Sequence, residues 1–293
     1  MNFKDVTLED KNVFDRFLPI KEVQNCETSF ANIIAYNFKY PSQYAIIDGF
    51  LCVRTTNAAK DSYTYFMPVG EGDFRNIIKI FVDDAVANGY NMNMIINDCE
   101  CFRKHFPDFS ASPCCDFFDY VYLREDLAQL SGRKYQAKRN HINQIREEYE
   151  VIELSEENSG EFFAAQAVSL EEAKVRNPQY ADDYDSEDRV INYLLTNFKA
   201  LDVLGLGIRI EGKLIAFSLG SPINYNTFDV HIEKANRNNG SFALINREMA
   251  RRIDETYLYI NREEDLGIEG LRKAKLSYHP YKMIEKCFAR LNR

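Results

Sequence analysis

Between Thr227 and Arg252 the pattern of apolar and polar positions changes period, and the rest of the chain is arranged around that change. Phe228, Val230 and Ile232 alternate with Asp229, His231 and Glu233, the period of two expected of a strand. From Phe242 the spacing becomes helical, with Ile245, Met249 and Ile253 completing one apolar stripe. Strand and helix are joined by Arg237-Asn-Asn-Gly240-Ser241. Such a turn presents unpaired backbone N–H groups and the positive end of a helix dipole, which suits phosphate or pyrophosphate. Gly240 would leave room for close backbone approach. Arg237, Asn239, Gly240 and Ser241 are therefore candidate phosphate- or pyrophosphate-binding residues, with an ordinary connection as the competing reading.

The same periodicities give two parallel series. The first half reads as a helix near 7–17, a helix or turn near 29–36, and strands at 44–47 and 51–55 joined at Asp48-Gly49. A strand at 63–69 and a glycine loop at 70–73 follow. Next comes a helix carrying Ile77, Ile78, Phe81, Val82 and Ala85 that stops at Asn88-Gly89. A strand at 92–96, a short helix from Phe102 and a last strand at 117–123 complete it. The second half repeats this order: strands at 204–210 and 214–219, a strand at 227–233, the glycine turn and a helix through Ile253. A strand at 257–260, a short helix from Leu271 and a last strand at 283–291 close the series. A repeat of this length is a duplicated domain, not a solenoid. The expectation is an α/β (α+β) fold of two mixed sheets with packed helices. Its parts are an N-terminal domain at 1–128, a basic connecting helix at 129–150, and a C-terminal domain at 151–293 carrying the active site.

In the connector, Tyr135, Ile142, Ile145 and Tyr149 share one helical face, and Arg133, Lys134, Lys138, Arg139 and Arg146 cover the others. No acid interrupts the run from Ser131 to Arg146, although the whole chain carries a net charge of −9. Lys134, Lys138, Arg139, Asn140 and Asn143, with Arg272 and Lys275 from the later helix, are candidates for binding an anion or tRNA. A solvated face paired with Glu147, Glu148 and Glu150 is the alternative.

Composition narrows the classes. With 293 residues, 45% hydrophobic and 28% charged, the chain has enough apolar surface for one large or two ordinary domains. The negative charge argues against a generic nucleic-acid or membrane binder. The polar start does not read as a signal peptide, and no apolar run reaches the ~20 residues of a membrane span. A cytoplasmic location without an integral membrane segment is expected. Seven scattered cysteines without a Cys-x-x-Cys pair read as reduced thiols, and the four histidines lack metal-ligand spacing, so no metal is expected.

Transfer of a group from a phosphate-bearing donor needs a base near the attacking group and a proton donor to the leaving group. His231 and Glu233 stand just before the glycine turn. Glu264 lies in an acidic stretch after the next strand, where ligands collect in open α/β sheets. Tyr278 could protonate a leaving group. These four are the candidate catalytic residues. Their ordinary alternatives are a bridging strand histidine, salt bridges to Lys234, Arg272 or Lys273, and a tyrosine buried for its ring.

Arg237-x-x-Gly240 resembles the acyl-donor loop of GNAT acyltransferases, with Phe242 where that pattern has a small residue. Longer stretches carry a second resemblance: GRKYQAKRNHIN at 132–143, HIEKA at 231–235, YINREEDLG at 259–267 and GLRKAKLSYHP at 270–280. They resemble the C-terminal catalytic domain of phosphatidylglycerol lysyltransferase, over nearly the whole chain. That resemblance implies a tandem GNAT fold related to the Fem aminoacyl ligases. It also implies aminoacyl-tRNA as donor, with acyl-coenzyme A as the alternative, no further cofactor, and tRNA as a partner through the basic helix. Relatives pass the aminoacyl group to a lipid headgroup or a cell-wall precursor. The residues here specify neither acceptor nor oligomeric state, and peripheral lipid contact stays open. A binding protein that kept the fold without the chemistry is the other class.

Overall fold

The structure, a computed structural model, describes residues 2–57, 59–235 and 240–292. Among these, the strands are β1 (Lys4–Asp5), β2 (Ser42–Ile47), β3 (Phe50–Thr56), β4 (Ser62–Tyr65), β5 (Asn91–Ile96), β6 (Phe109–Pro113) and β7 (Asp119–Leu123). They continue as β8 (Tyr149–Glu153), β9 (Leu204–Ile210), β10 (Lys213–Asn224), β11 (Thr227–Ala235), β12 (Tyr259–Asn261), β13 (Lys282–Ile284) and β14 (Cys287–Leu291).

Two mixed sheets result, with orders β1-β2-β3-β4-β5-β14-β6 and β8-β9-β10-β11-β12-β7-β13. The orders are equivalent position by position, as a duplication requires. Each sheet also has one parallel pair, β4 with β5 and β11 with β12. A parallel neighbour needs a crossover, and helices Phe74–Ala87 and Ser241–Arg252 supply the two. The first is capped by Asp73, whose side chain accepts from the Asn76 N–H at 3.1 Å, and it ends before Asn88-Gly89 as read from the sequence.

One feature was not anticipated. Where a single last strand per half was expected, each half has two, and the final one joins the other sheet. β7 sits between β12 and β13, and β14 between β5 and β6. A division at 128 and 150 therefore cuts across both sheets. This exchange brings Cys287 to Cys99, and the two form a disulfide 188 residues apart in sequence. The expectation of reduced thiols fails for that pair, because no local spacing announces a contact made by strand exchange.

The connector is also shorter than read. After a turn at Arg133–Tyr135 the helix spans only Gln136–Ile142, and by Tyr149 the chain has become β8. Tyr135 and Ile142 are buried in one cluster with Leu244 and Ile245 of helix Ser241–Arg252, while Tyr149 is exposed. Phe242 leaves the expected stripe and faces outward; Leu244 takes its place. Helices Ser159–Arg176 and Ala181–Thr196 pack as a pair that the sequence reading passed over. The former buries only Phe162 and Gln166, too little for a clear periodicity. A core cluster joins Phe14, Phe30, Leu51 and Phe66 of the first half to Phe162, Leu194, Phe217 and Leu219 of the second. The two halves thus share apolar core, and polar groups between them are held away from water.

Candidate active site between the two sheets

The polar face of β11 turns toward the first half and is buried there: Asp229 is 0% and His231 9% exposed. The register with β10 shifts here, Leu219 pairing with Ile232 and Gly220 with Val230, so His231 has no partner residue opposite. A bulge of this kind re-aims a side chain. Gly220 permits it, since a Cβ there would lie 2.3 Å from the Asp229 carbonyl oxygen. The His231 ring is consequently held at both nitrogens. Nε2 is 2.8 Å from Ser221 Oγ, and Nδ1 is 3.1 Å from Glu263 Oε1 and 3.4 Å from Asp229 Oδ2. Burial works against a charged ring, but Asp229 and Glu263 outweigh it and hold His231 up to about 10. Burial pushes Asp229 the other way, up to about 7, and its Oδ1 has no partner among the described residues.

A second buried cluster adjoins this one. Lys286, just before β14, places Nζ 2.6 Å from Asp119 Oδ1, 2.6 Å from Glu27 Oε1, 3.3 Å from Cys26 Sγ and 3.5 Å from Glu264 Oε2. Burial opposes its charge, yet the surrounding acids raise Lys286 well above the usual lysine range. Cys26, Asp119 and Glu264, like Asp229, His231 and Glu263, are donor types that bind metals. In the first set an ammonium already stands among the donors. In the second, the Asn32 amide donates to Glu263 Oε1 at 2.8 Å and the His231 ring stands between the two carboxylates.

The loop carrying Glu263 and Glu264 is built by Lys275. Its buried ammonium donates to the backbone carbonyls of Glu264 at 2.6 Å, Glu263 at 3.1 Å and Arg262. That grip holds Glu263 at φ 59, a conformation side-chain-bearing residues seldom adopt. Lys275, expected to bind an anion, has its three donors committed to this loop. Arg272 is likewise bound, to Asp265 at 2.8 Å and Asp116 at 2.7 Å.

The other expected residues are divided among several places. Glu264 belongs to the buried cluster. Glu233 does not join His231; its oxygens are taken by Asn246 Nδ2 at 3.0 Å and Arg262 Nε at 3.0 Å. Tyr278 is buried, with the Lys138 ammonium 3.7 Å and the Arg262 guanidinium 4.7 Å from its ring centre. Burial pushes its phenol up to about 12. Lys138 also donates to Ser277 Oγ at 2.6 Å. Arg139 is a structural residue: it donates to the carbonyls of Leu130 and Gly132 and to Gln136 Oε1. Lys134 pairs with Asp126 at 3.0 Å, Asn140 accepts from Gln136, and Asn143 is exposed.

Of the donor turn, Arg237 and Asn239 lie outside the described residues. Gly240 has φ 102, and a Cβ on it would stand 2.1 Å from the His141 carbonyl oxygen. The space on the Cβ side of this glycine is filled by helix Gln136–Ile142. Ser241 is fully buried.

Sequence reading missed the floor of an adjoining cavity of about 320 Å³, which lies between the N-terminal segment, the first sheet and β10. Its wall is mainly apolar, with Phe14, Phe30, Val53 and Phe66, but Lys21 and Ser221 also face it. Lys21 is 5% exposed and donates to the Thr28 carbonyl at 2.5 Å. Burial lowers it to about 7 against the pull of Asp229. A lone lysine after an irregular turn carries no sequence signal for this. Lys286 and Asp119 carry none either, since only the exchanged strands bring them together.

No curated protein matches the sequence. A conserved protein of unknown function from Bacteroides thetaiotaomicron is 40% identical over all of both chains, with a TM-score of 0.92. L-PGS from Bacillus licheniformis is 17% identical, covering 97% of this chain and 93% of its own, with a TM-score of 0.66. A tandem GNAT protein from the clavulanic acid biosynthesis pathway is 8% identical, covering 100% of this chain and 99% of its own, with a TM-score of 0.55. The last two share the fold, which is GNAT-like in both halves. The model of the phosphatidylglycerol lysyltransferase C-terminal family matches residues 19–290, and the chain belongs to that family.

Proposed function

We propose that this chain is an aminoacyltransferase that moves an aminoacyl group from aminoacyl-tRNA to an acceptor held between its two halves. The observation that carries it is the meeting of a carboxylate–imidazole network with a largely apolar cavity at Ser221. Glu27, Glu263 and Glu264 keep 23%, 21% and 21% of their side chains exposed beside that network. Glu263, which does not pair with Lys286, suits the ammonium of an aminoacyl group better than a diphosphate. The family's lysyl-transferring namesake favours the same donor. Coenzyme A is less well supported, because the His141 carbonyl occupies the space beside Gly240. The cavity suits an acceptor with an apolar portion and a free hydroxyl or amine.

No helix among the described residues is long and apolar enough to cross a membrane. The test is incubation with labelled aminoacyl-tRNAs and a bacterial lipid and metabolite extract. Label should leave the tRNA for a new ester or amide product. Retention of label on every aminoacyl-tRNA offered, with consumption of acetyl-coenzyme A instead, would transfer the reading to the second donor.

A further inference from the structure

Two polar groups reach the wall of the cavity from opposite halves, and one of them is backed by a buried histidine. Lys21 comes from the N-terminal segment; Ser221 comes from β10 with His231 behind it. Resting on the aminoacyl-transfer reading, we propose that Lys21 is the proton acceptor, and Ser221 relaying from His231 the proton donor, of the transfer step.

The geometry assigns the roles. Among the described residues Lys21 Nζ has one hydrogen bond, to the Thr28 carbonyl, and Asp229 is the charge that acts on it. Elsewhere on the cavity wall Lys11 is paired with Asp15 at 2.7 Å and Asp202 at 2.5 Å, which leaves that cation committed. Around His231 stand Asp229, Glu263 and Ser221, with Asp119 acting on Asp229. An imidazolium so placed donates from Nδ1 to Glu263 and from Nε2 to Ser221 Oγ. The Ser221 hydroxyl hydrogen is then free for the cavity, its other neighbour being Ser29 Oγ at 3.4 Å. Groups held apart in this way divide acid from base in one site.

The step balances. The acceptor's hydroxyl or amine attacks the ester carbonyl, forming the new C–O or C–N bond, and its proton passes to neutral Lys21. The ester C–O bond breaks, and the ribose oxygen takes the Ser221 proton, which His231 Nε2 replaces. Lys21 then loses a proton to solvent and His231 regains one.

Lysine-selective isotope labelling, with Lys21→Arg to assign the signal, should show Lys21 titrating near 7 and, by imidazole nitrogen shifts, His231 near 10. The transfer rate should follow a bell between those values. Lys21→Arg, which keeps the charge but never becomes neutral, should lower kcat roughly 10²–10⁴-fold with little change in KM. Lys21→Met checks folding by thermal melting and should lose the same activity. Ser221→Ala should lower kcat and leave the low-pH limb in place. Lys21 titrating near the ordinary lysine value overturns the proposal. So does transfer that survives Lys21→Arg with its pH profile unchanged, and that result leaves the transferase reading intact. A wild-type chain that transfers from no aminoacyl-tRNA overturns both.

Discussion

At the scale of single residues, His231 and Lys21 carry opposite linkage to pH. His231 is about 10 in the folded chain against 6.5 unfolded, so its stabilisation is complete below 6.5 and is lost as pH rises through about 10. Lys21 is about 7 folded against 10.5 unfolded, so its cost is complete below about 7 and disappears as pH rises toward 10.5. In the wild type the two slopes offset. His231→Gln should therefore destabilise most near pH 6 and least near pH 10, and should unmask a melting temperature that rises with pH in between. Thermal melts of both proteins across that range measure this; an equal loss at every pH would mean that His231 is neutral in the fold. His231 was legible from the strand's alternation, but its ring partners were not. Ser221 and Glu263 come from two other segments, and the bulge opposite Gly220 decides which way the ring points.

At the scale of elements, the loop after β12 and the helix Gln136–Ile142 show how charge can be structural. Lys275→Met removes the donor to three carbonyls of a partly buried loop. Leaving buried acceptors unpaired costs about 1–3 kcal/mol each, so a loss of roughly 2–4 kcal/mol in denaturant unfolding is expected after partial rehydration. The displaced Glu263 should lower transfer as well. The basic helix divides differently. Arg139 holds the turn before it, so Arg139→Ala should destabilise and says little about ligands. Arg133 and Lys134 are exposed, and they are the pair to test for tRNA. Arg133→Ala with Lys134→Ala should flatten the salt dependence of tRNA binding by roughly 0.7–0.9 per lost phosphate contact, with stability little changed. An unchanged slope would leave the stripe a solvated face.

At the scale of the whole molecule, strand exchange is the organising feature. It builds Lys286 into the acid cluster and closes the Cys99–Cys287 bridge one residue away. Because that bridge spans 188 residues, reducing it should cost about 5 kcal/mol by loop entropy, read as a lower melting temperature in dithiothreitol. Cys99→Ser should melt as the reduced wild type does and should not respond to reductant.

The sequence by itself determined the duplication, the two crossover helices and the strand that carries His231. Each of these is written in local periodicity: two for strands, 3.6 for helices, glycine and asparagine at the stops. The repeated order of elements then implies two equivalent sheets. Only the tertiary structure decided which sheet receives β7 and β14, since a short apolar strand such as that around Cys287 and Ala289 is equally suited to either. It also decided that the polar face of β11 is interior, because the face that covers it belongs to the other half. The same long-range packing turned Lys21, Asp119 and Lys286 from isolated charges into buried ones, and burial among distant partners leaves no period to read.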